Sequence, residues 1–197
     1  MEDLFMILSW VIFYSLHTLL ASTKLKRILE AKWPGKMKRY RLFYSTLFSL
    51  LFTGILVQGL FLPSRILFPA TPYLTYLGYM LAALGVIIGS RSMKEISFSS
   101  FLGLYKASDN APDRLVDHGI YSWIRHPLYL GLVLIFLGYF IVSGSSGALI
   151  HLLCLISYLP VGIYFEEKNL LEKYGSAYED YRRKVSALLP LKIKKEH

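Results

Sequence analysis

Cysteine is all but missing from this chain. Among 197 residues the single example is Cys154, inside an apolar segment. An intramolecular disulfide, a CxxC redox pair and a cysteine-rich zinc site are therefore excluded. Cys154 reads as a packing residue, because burial disfavours the reactive thiolate. Acidic charge is scarce as well: 13 Asp and Glu stand against 22 Lys and Arg, a formal net charge of +9. Charged residues make up only 18% of the chain and hydrophobic residues 54%. The two kinds are segregated rather than mixed, which argues against an ordinary soluble domain. The signatures HExxH, P-loop and GxSxG are absent, and so is a glycine-rich strand-to-helix turn. No cleavable signal peptide is evident: Glu2 and Asp3 stand where a basic region would, with no clear cleavage site.

What is present is a set of five apolar runs: Leu4–Ala21, Leu42–Leu62, Tyr73–Gly89, Pro127–Val142 and Ala148–Phe165. Each is close to the roughly 20 residues that cross a hydrocarbon layer of about 30 Å as a helix. Lipid offers the backbone no hydrogen bonds, so all five are read as helices. Gly54, Gly59, Gly78, Gly85 and Gly89 are expected to be helix-packing positions. The basic residues then set the orientation. Twenty-one of the 22 Lys and Arg fall in the first and third connections and the tail, and only Arg65 falls on the other side. The positive-inside rule places the N-terminus outside and the C-terminus in the cytosol. The expected fold is an all-α, integral membrane bundle of five transmembrane helices. Its N-terminal part is 1–90 and its cofactor-binding catalytic part is 91–197, with a cytosolic loop and C-terminal helix capping the cofactor site. Within the third connection, residues 94–104 are amphipathic and suited to a membrane surface, and residues 109–112 form a turn. After Phe165 the fifth helix continues into the cytosol, with an interruption at Gly175 and a stripe of Tyr178, Tyr181 and Val185.

Two polar stretches are too dense for anchoring alone. The first is LVDHGIYSWIRHPLYLG, from Leu115 to Gly131. Pro127 suits a first helical turn. His126 then sits at the N-cap, where free N–H groups and the helix dipole favour an anionic ligand. The run of Asp113 to Val116 with Gly119 and Tyr121 leads into it and reads equally well as a plain loop. The second is Glu166-Glu167 at the cytosolic end of the fifth helix. Two adjacent carboxylates oppose the dipole and repel each other, which is useful if they face Arg125 or a cationic ligand. The short turn SGSSG (143–147) makes the fourth and fifth helices antiparallel neighbours. It thereby brings Arg125-His126 and Glu166-Glu167 to the same surface. His17, within the first run, is either functional or a packing residue bound to a neighbouring helix.

LVDHGIYSWIRHPLYLG, followed by an apolar hairpin and EEKNLLEKYGSAYEDYRRKVSALLP, resembles the isoprenylcysteine carboxyl methyltransferase and phospholipid methyltransferase superfamily of integral membrane enzymes. The resemblance covers about residues 113 to 190. In the N-terminal half, HTLLAS from His17 and RLFY of residues 41–44 are more similar to the methanethiol S-methyltransferase branch, and SFSSFLGL of residues 97–104 resembles it more weakly. The resemblance implies S-adenosylmethionine as cofactor. It implies that Asp113, Arg114, Leu115, Val116, Tyr121, His126, Pro127, Leu128 and Tyr129 line it, with Lys106 at a further cofactor-side position and no metal. Tyr121, Trp123 or Tyr129 would pack on adenine. Glu166 would face the reacting centre, with Glu167 and Arg125 beside it. Two positions depart from the pattern. Gly162 stands where the carboxyl methylators have arginine, and Asp113 where some members have histidine.

The function so implied is methyl transfer at the cytosolic membrane face to a lipophilic or small acceptor, of the prenylcysteine carboxylate or thiol class. A nicotinamide-dependent sterol-type reductase and a non-catalytic membrane scaffold are the alternatives. Nucleic acid is not an expected partner, since the basic residues follow the membrane face and anionic lipid is the simpler partner. No obligatory protein partner is expected. The expected location is the cell membrane in a prokaryote or the endoplasmic reticulum in a eukaryote.

Overall fold

The structure, a computed structural model, describes residues 2–35, 37–96 and 115–190. Among the described residues it is built of helices, with no strand beyond isolated bridges. α1 is Glu2–Ala21, α2 Thr23–Lys32, α3 Met37–Phe61, α4 Pro72–Ile96, α5 Pro127–Ser143, α6 Ser146–Tyr174 and α7 Ser176–Lys184, with a 3₁₀ turn at Gly119–Ser122. α1, α3, α4 and α6 are long and apolar enough to cross a membrane. α5 has 17 residues, a rise of about 26 Å. The five apolar runs of the sequence thus correspond to four helices of spanning length and one shorter apolar helix.

Local chemistry accounts for most of the boundaries. Pro127 starts α5 where its missing N–H has no intrahelical acceptor. α5 stops at Gly144, whose φ of 59° is left-handed. Ser145 then caps α6, its Oγ accepting from the Ala148 N–H at 3.3 Å. This two-residue junction forces α5 and α6 into an antiparallel hairpin. The chain after α3 closes against the same turn, with Leu67 N–H donating to Gly144 O at 2.7 Å and Ser146 N–H to Arg65 O at 2.8 Å. Gly175, with φ of 56°, separates α6 from α7, as the tail's interruption predicts. α2 was not expected. Its sequence reads as a basic connection, yet Ser22 Oγ accepts from Leu25 N–H at 3.3 Å and starts a ten-residue helix.

α6 is the central element: 33% of its apolar stretch is buried, against 11% for α1, α3 and α4. Met6, Trp10 and Phe13 of α1, Phe48 and Ile55 of α3, Phe136 of α5 and Leu152, Leu155 and Leu159 of α6 form the core. Trp10 donates its indole N–H to His151 Nδ1 at 2.9 Å within that core. α4 packs on α5 through glycine. A Cβ at Gly85 would lie 2.5 Å from Gly131 O, and one at Gly138 would lie 2.5 Å from Gly78 O. The two backbones touch directly, as small residues permit between apolar helices. Gly59 is similarly closed against His151, whereas Gly54 faces nothing within 4 Å. The packing role expected of Gly54 is therefore corrected: among the described residues no neighbour approaches it. Many large apolar side chains point outward, among them Leu50, Phe61 and Tyr73.

Candidate active site

The hairpin and the tail meet at one end of the bundle. Arg125 and His126 precede α5, Glu166 and Glu167 lie on α6, and the chain after α7 returns beside them. That return is held by the backbone. Arg125 N–H donates to Ser186 O at 2.9 Å and His126 N–H to Ala187 O at 3.0 Å. Ile124 and Ser186 form a parallel bridge. Extended chain at 124–126 and 185–187 can pair in this way because α7 ends at Lys184, just before it.

The side chains form a compact charged cluster. Arg125 Nε and Nη2 donate to Glu167 Oε1 at 2.9 and 2.5 Å. Its Nη1 donates to the carbonyls of Arg182, at 3.1 Å, and Val185. The guanidinium therefore clamps α6 to the returning tail. His126 lies between the two carboxylates, with Nε2 3.1 Å from Glu167 Oε1 and Nδ1 3.4 Å from Glu166 Oε2. Burial pushes the imidazole pKa down. Hydrogen bonds and charge from Glu166 and Glu167 outweigh it and hold the net value above the ordinary histidine range.

The adjacent glutamates are not equivalent. Glu167 is 14% exposed and is bound by Arg125, His126 and, at 3.8 Å, Arg182. Glu166 is 46% exposed and pairs with His126. Tyr129, one turn into α5, stacks near the His126 ring with centroids 5.6 Å apart, and its phenol interacts with Glu166. A half-open carboxylate flanked by aromatic and imidazole rings is a suitable seat for a small organic cation.

The remaining predicted residues are placed as follows. Tyr121 is buried. Its hydroxyl pairs with Ser92 Oγ of α4 at 2.7 Å, and its carbonyl accepts from Tyr181 OH at 2.7 Å. Pro127 is fully buried. Leu115, Val116 and Leu128 are half-buried. Trp123 is 71% exposed, the freest aromatic of the segment. Lys106, Asp113 and Arg114 lie outside the described residues, as do most of the amphipathic stretch and the turn at 109–112.

Several contributors carried no sequence signal. Ser92 is an isolated small polar residue in an apolar helix. The carbonyls of Arg182, Val185, Ser186 and Ala187 act through the backbone. Tyr178 and Tyr181 were visible as a stripe, though not as parts of the site. Tyr178 is 1% exposed, and burial, with Glu167 adding to it, pushes its phenol up to about 12.

Comparison with known proteins gives the family. The family described as phospholipid methyltransferase matches residues 73–177. Methanethiol S-methyltransferase of Mycobacterium tuberculosis is 41% identical over 73 residues, covering 37% of this chain and 29% of that protein. Protein-S-isoprenylcysteine O-methyltransferase of Saccharomyces cerevisiae is 32% identical over 141 residues, covering 68% of this chain and 58% of that protein. Methanethiol S-methyltransferase of Crocosphaera subtropica is 32% identical over 123 residues, covering 59% and 48%. The chain thus spans less than two thirds of the length of each of these relatives.

Proposed function

The chain belongs to the phospholipid methyltransferase family, and from that premise we propose that it transfers a methyl group from S-adenosylmethionine to a lipophilic or small acceptor. The observation that carries the reading is the division of labour between Glu166 and Glu167. Glu167 is consumed by Arg125, His126 and Arg182, while the Glu166 side chain stays about half exposed beside His126 and Tyr129.

S-adenosylmethionine, when bound, supplies an electrophilic methyl group on a sulfonium cation together with an ammonium, a carboxylate and an adenine. The donor set of the cluster fits that group. Glu166 offers the negative charge for a cationic centre, and Tyr129 the aromatic face next to it. The start of α5 offers backbone N–H groups and the positive end of a dipole for a carboxylate. Trp123 is the exposed ring available for a flat heterocycle. Leu115 and Val116 supply apolar wall. Arg125 and Glu167 hold Glu166 and His126 in place by joining α5, α6 and the tail. The protein's main contribution is alignment of the acceptor in a dry site, which can supply several kcal/mol of a barrier, on the order of 7–11 at most.

The same reading includes a membrane setting. Five spans, counting the short α5, put the N-terminus outside and the charged cluster on the cytosolic side with the basic connections. The acceptor enters from lipid between helices and the methyl donor from the cytosol. Relatives named for methanethiol and for protein S-isoprenylcysteine support an acceptor of the thiol or prenylcysteine class.

Purified full-length chain titrated with S-adenosylhomocysteine, and in parallel with NADPH, tests the reading. Binding of the first, lost in Glu166→Gln with the folded state retained, is the expected result. Binding of NADPH alone would overturn it. Labelled-methyl transfer to a thiol, a prenylcysteine and a lipid amine then identifies the acceptor.

A further inference from the structure

The charged cluster leaves one group of polar side chains without a role, and it lies deeper in the bundle. Tyr158 of α6 places its hydroxyl 2.9 Å from Thr18 Oγ1 and 3.3 Å from His17 Nδ1 of α1. Its ring stacks on Tyr14 with centroids 4.0 Å apart and planes within 8°. Tyr44 and Phe48 of α3 close around the His17 ring at 5.4 and 4.9 Å.

Polar groups held among apolar helices are costly unless they are paired or used. This set is not closed on itself, because the buried Tyr14 hydroxyl has no hydrogen-bond partner among the described residues. It is also connected to the charged cluster. Tyr158, Gly162 and Glu166 are four residues apart along α6, so they follow one another along one side of the helix. Gly162 is buried, and a Cβ there would lie 3.2 Å from Tyr158 Cε1 and 3.6 Å from the Tyr129 hydroxyl. The missing side chain lets Tyr158 and Tyr129 close directly onto the α6 backbone. Tyr129 in turn adjoins His126 and Glu166. A column of polar groups therefore runs from the carboxylates into the apolar interior.

We propose that this column holds the nucleophilic end of an acceptor that binds with its proton still attached, of the thiol class, and that Tyr158 backed by His17 takes that proton. The proposal rests on the methyl-transfer reading of the same site. With Thr18 donating to the Tyr158 oxygen and Tyr158 donating to His17 Nδ1, the phenol oxygen retains a lone pair for the acceptor S–H. An ionised carboxylate brings no proton to this pair, and the groups facing Gly162 are phenols rather than a cation. In the reaction the acceptor S–H bond breaks and its electron pair forms the new bond to the methyl carbon. The carbon–sulfur pair of the sulfonium donor returns to the donor sulfur. The released proton passes to the Tyr158 oxygen as the phenol proton passes to His17, which becomes imidazolium. His17 is a positioning residue acting through Tyr158.

The test uses the full chain in detergent micelles with histidine nitrogens labelled, His17 being assigned by its loss in His17→Gln. Butanethiol is expected to move the His17 ring signal in the native protein and not in Tyr158→Phe. The second readout is the ratio of methyl transfer to butanethiol over transfer to thiophenol, which is largely ionised at neutral pH. In His17→Gln that ratio is expected to fall about a hundredfold, with Tyr158→Phe as the alternate variant if His17→Gln does not fold. An unmoved His17 signal, or equal loss towards both thiols, overturns the proposal. A moved signal in a protein that transfers no methyl group supports the binding column and overturns the methyl-transfer reading instead.

Discussion

Arg125 reaches Glu167 with two nitrogens on one oxygen: Nε at 2.9 Å and Nη2 at 2.5 Å, both to Oε1. The second oxygen faces Arg182 at 3.8 Å. The pair joins the segment before α5 to the C-terminal part of α6, and Nη1 adds the carbonyls of Arg182, in α7, and Val185, just after it. It is the fastening of the site, and its partial burial makes it sensitive to the loss of either partner.

Glu167→Gln is expected to destabilise the protein by about 3–5 kcal/mol, because it leaves the Arg125 charge buried without its counter-ion. Glu166→Gln, at a half-exposed position, is expected to leave the thermal midpoint within a degree or two (a change of about 0.5 kcal/mol or less) and to lose affinity for S-adenosylhomocysteine. Thermal melts of the two variants side by side decide it. Equal melting losses would contradict the distinction between the glutamates.

The His126 imidazole is held above its ordinary pKa by Glu166 and Glu167. The folded state therefore binds this proton more tightly than the unfolded chain. The resulting stabilisation is fully present below the unfolded value of about 6.5 and is lost as pH rises through the folded value. Midpoints recorded from about pH 6 to about pH 9 should fall in the native protein and flatten in His126→Gln. A slope unchanged in the variant would assign the effect to another group.

Gly85 and Gly54 are both helical glycines in apolar runs, yet they should respond oppositely to alanine. At Gly85 the new methyl would meet the Gly131 carbonyl at 2.5 Å, and separating the α4 and α5 backbones costs about 1–3 kcal/mol. At Gly54 nothing lies within 4 Å, and the better helix former gains up to about 1 kcal/mol. Denaturation of the two variants in the same detergent measures both signs.

Tyr181→Phe removes the bond from the Tyr181 hydroxyl to the buried Tyr121 carbonyl, 2.7 Å long. Leaving that acceptor unsatisfied costs about 1–3 kcal/mol. The effect should appear locally, as faster proteolysis at the segment after α7, before any change in the α1–α6 core.

Legibility in the sequence followed the range of the interaction. The α5–α6 hairpin was readable because a five-residue connection between two apolar runs leaves antiparallel packing as the compact solution. It was enough to bring Arg125-His126 and Glu166-Glu167 together. The tail's break at Gly175 was readable for a similar reason, a glycine inside a helical pattern. α2 was missed because its basic composition masked the Ser22 cap. The return of 185–187 onto 124–126 left no trace, since backbone carbonyls do the pairing and any residue has one. The Tyr158–His17–Thr18 contact joins positions about 140 residues apart, and each of those residues alone reads equally well as packing.

Composition and periodicity determined that this chain forms apolar helices with nearly all of its basic residues outside the apolar runs, because hydrophobic burial and charge solvation act on each segment separately. They also determined which polar residues would meet one another. Only the tertiary structure decided between Glu166 and Glu167. Neighbours on a helix point about 100° apart, and which of the two turns toward Arg125 depends on how α6 is rotated against α5 and the tail.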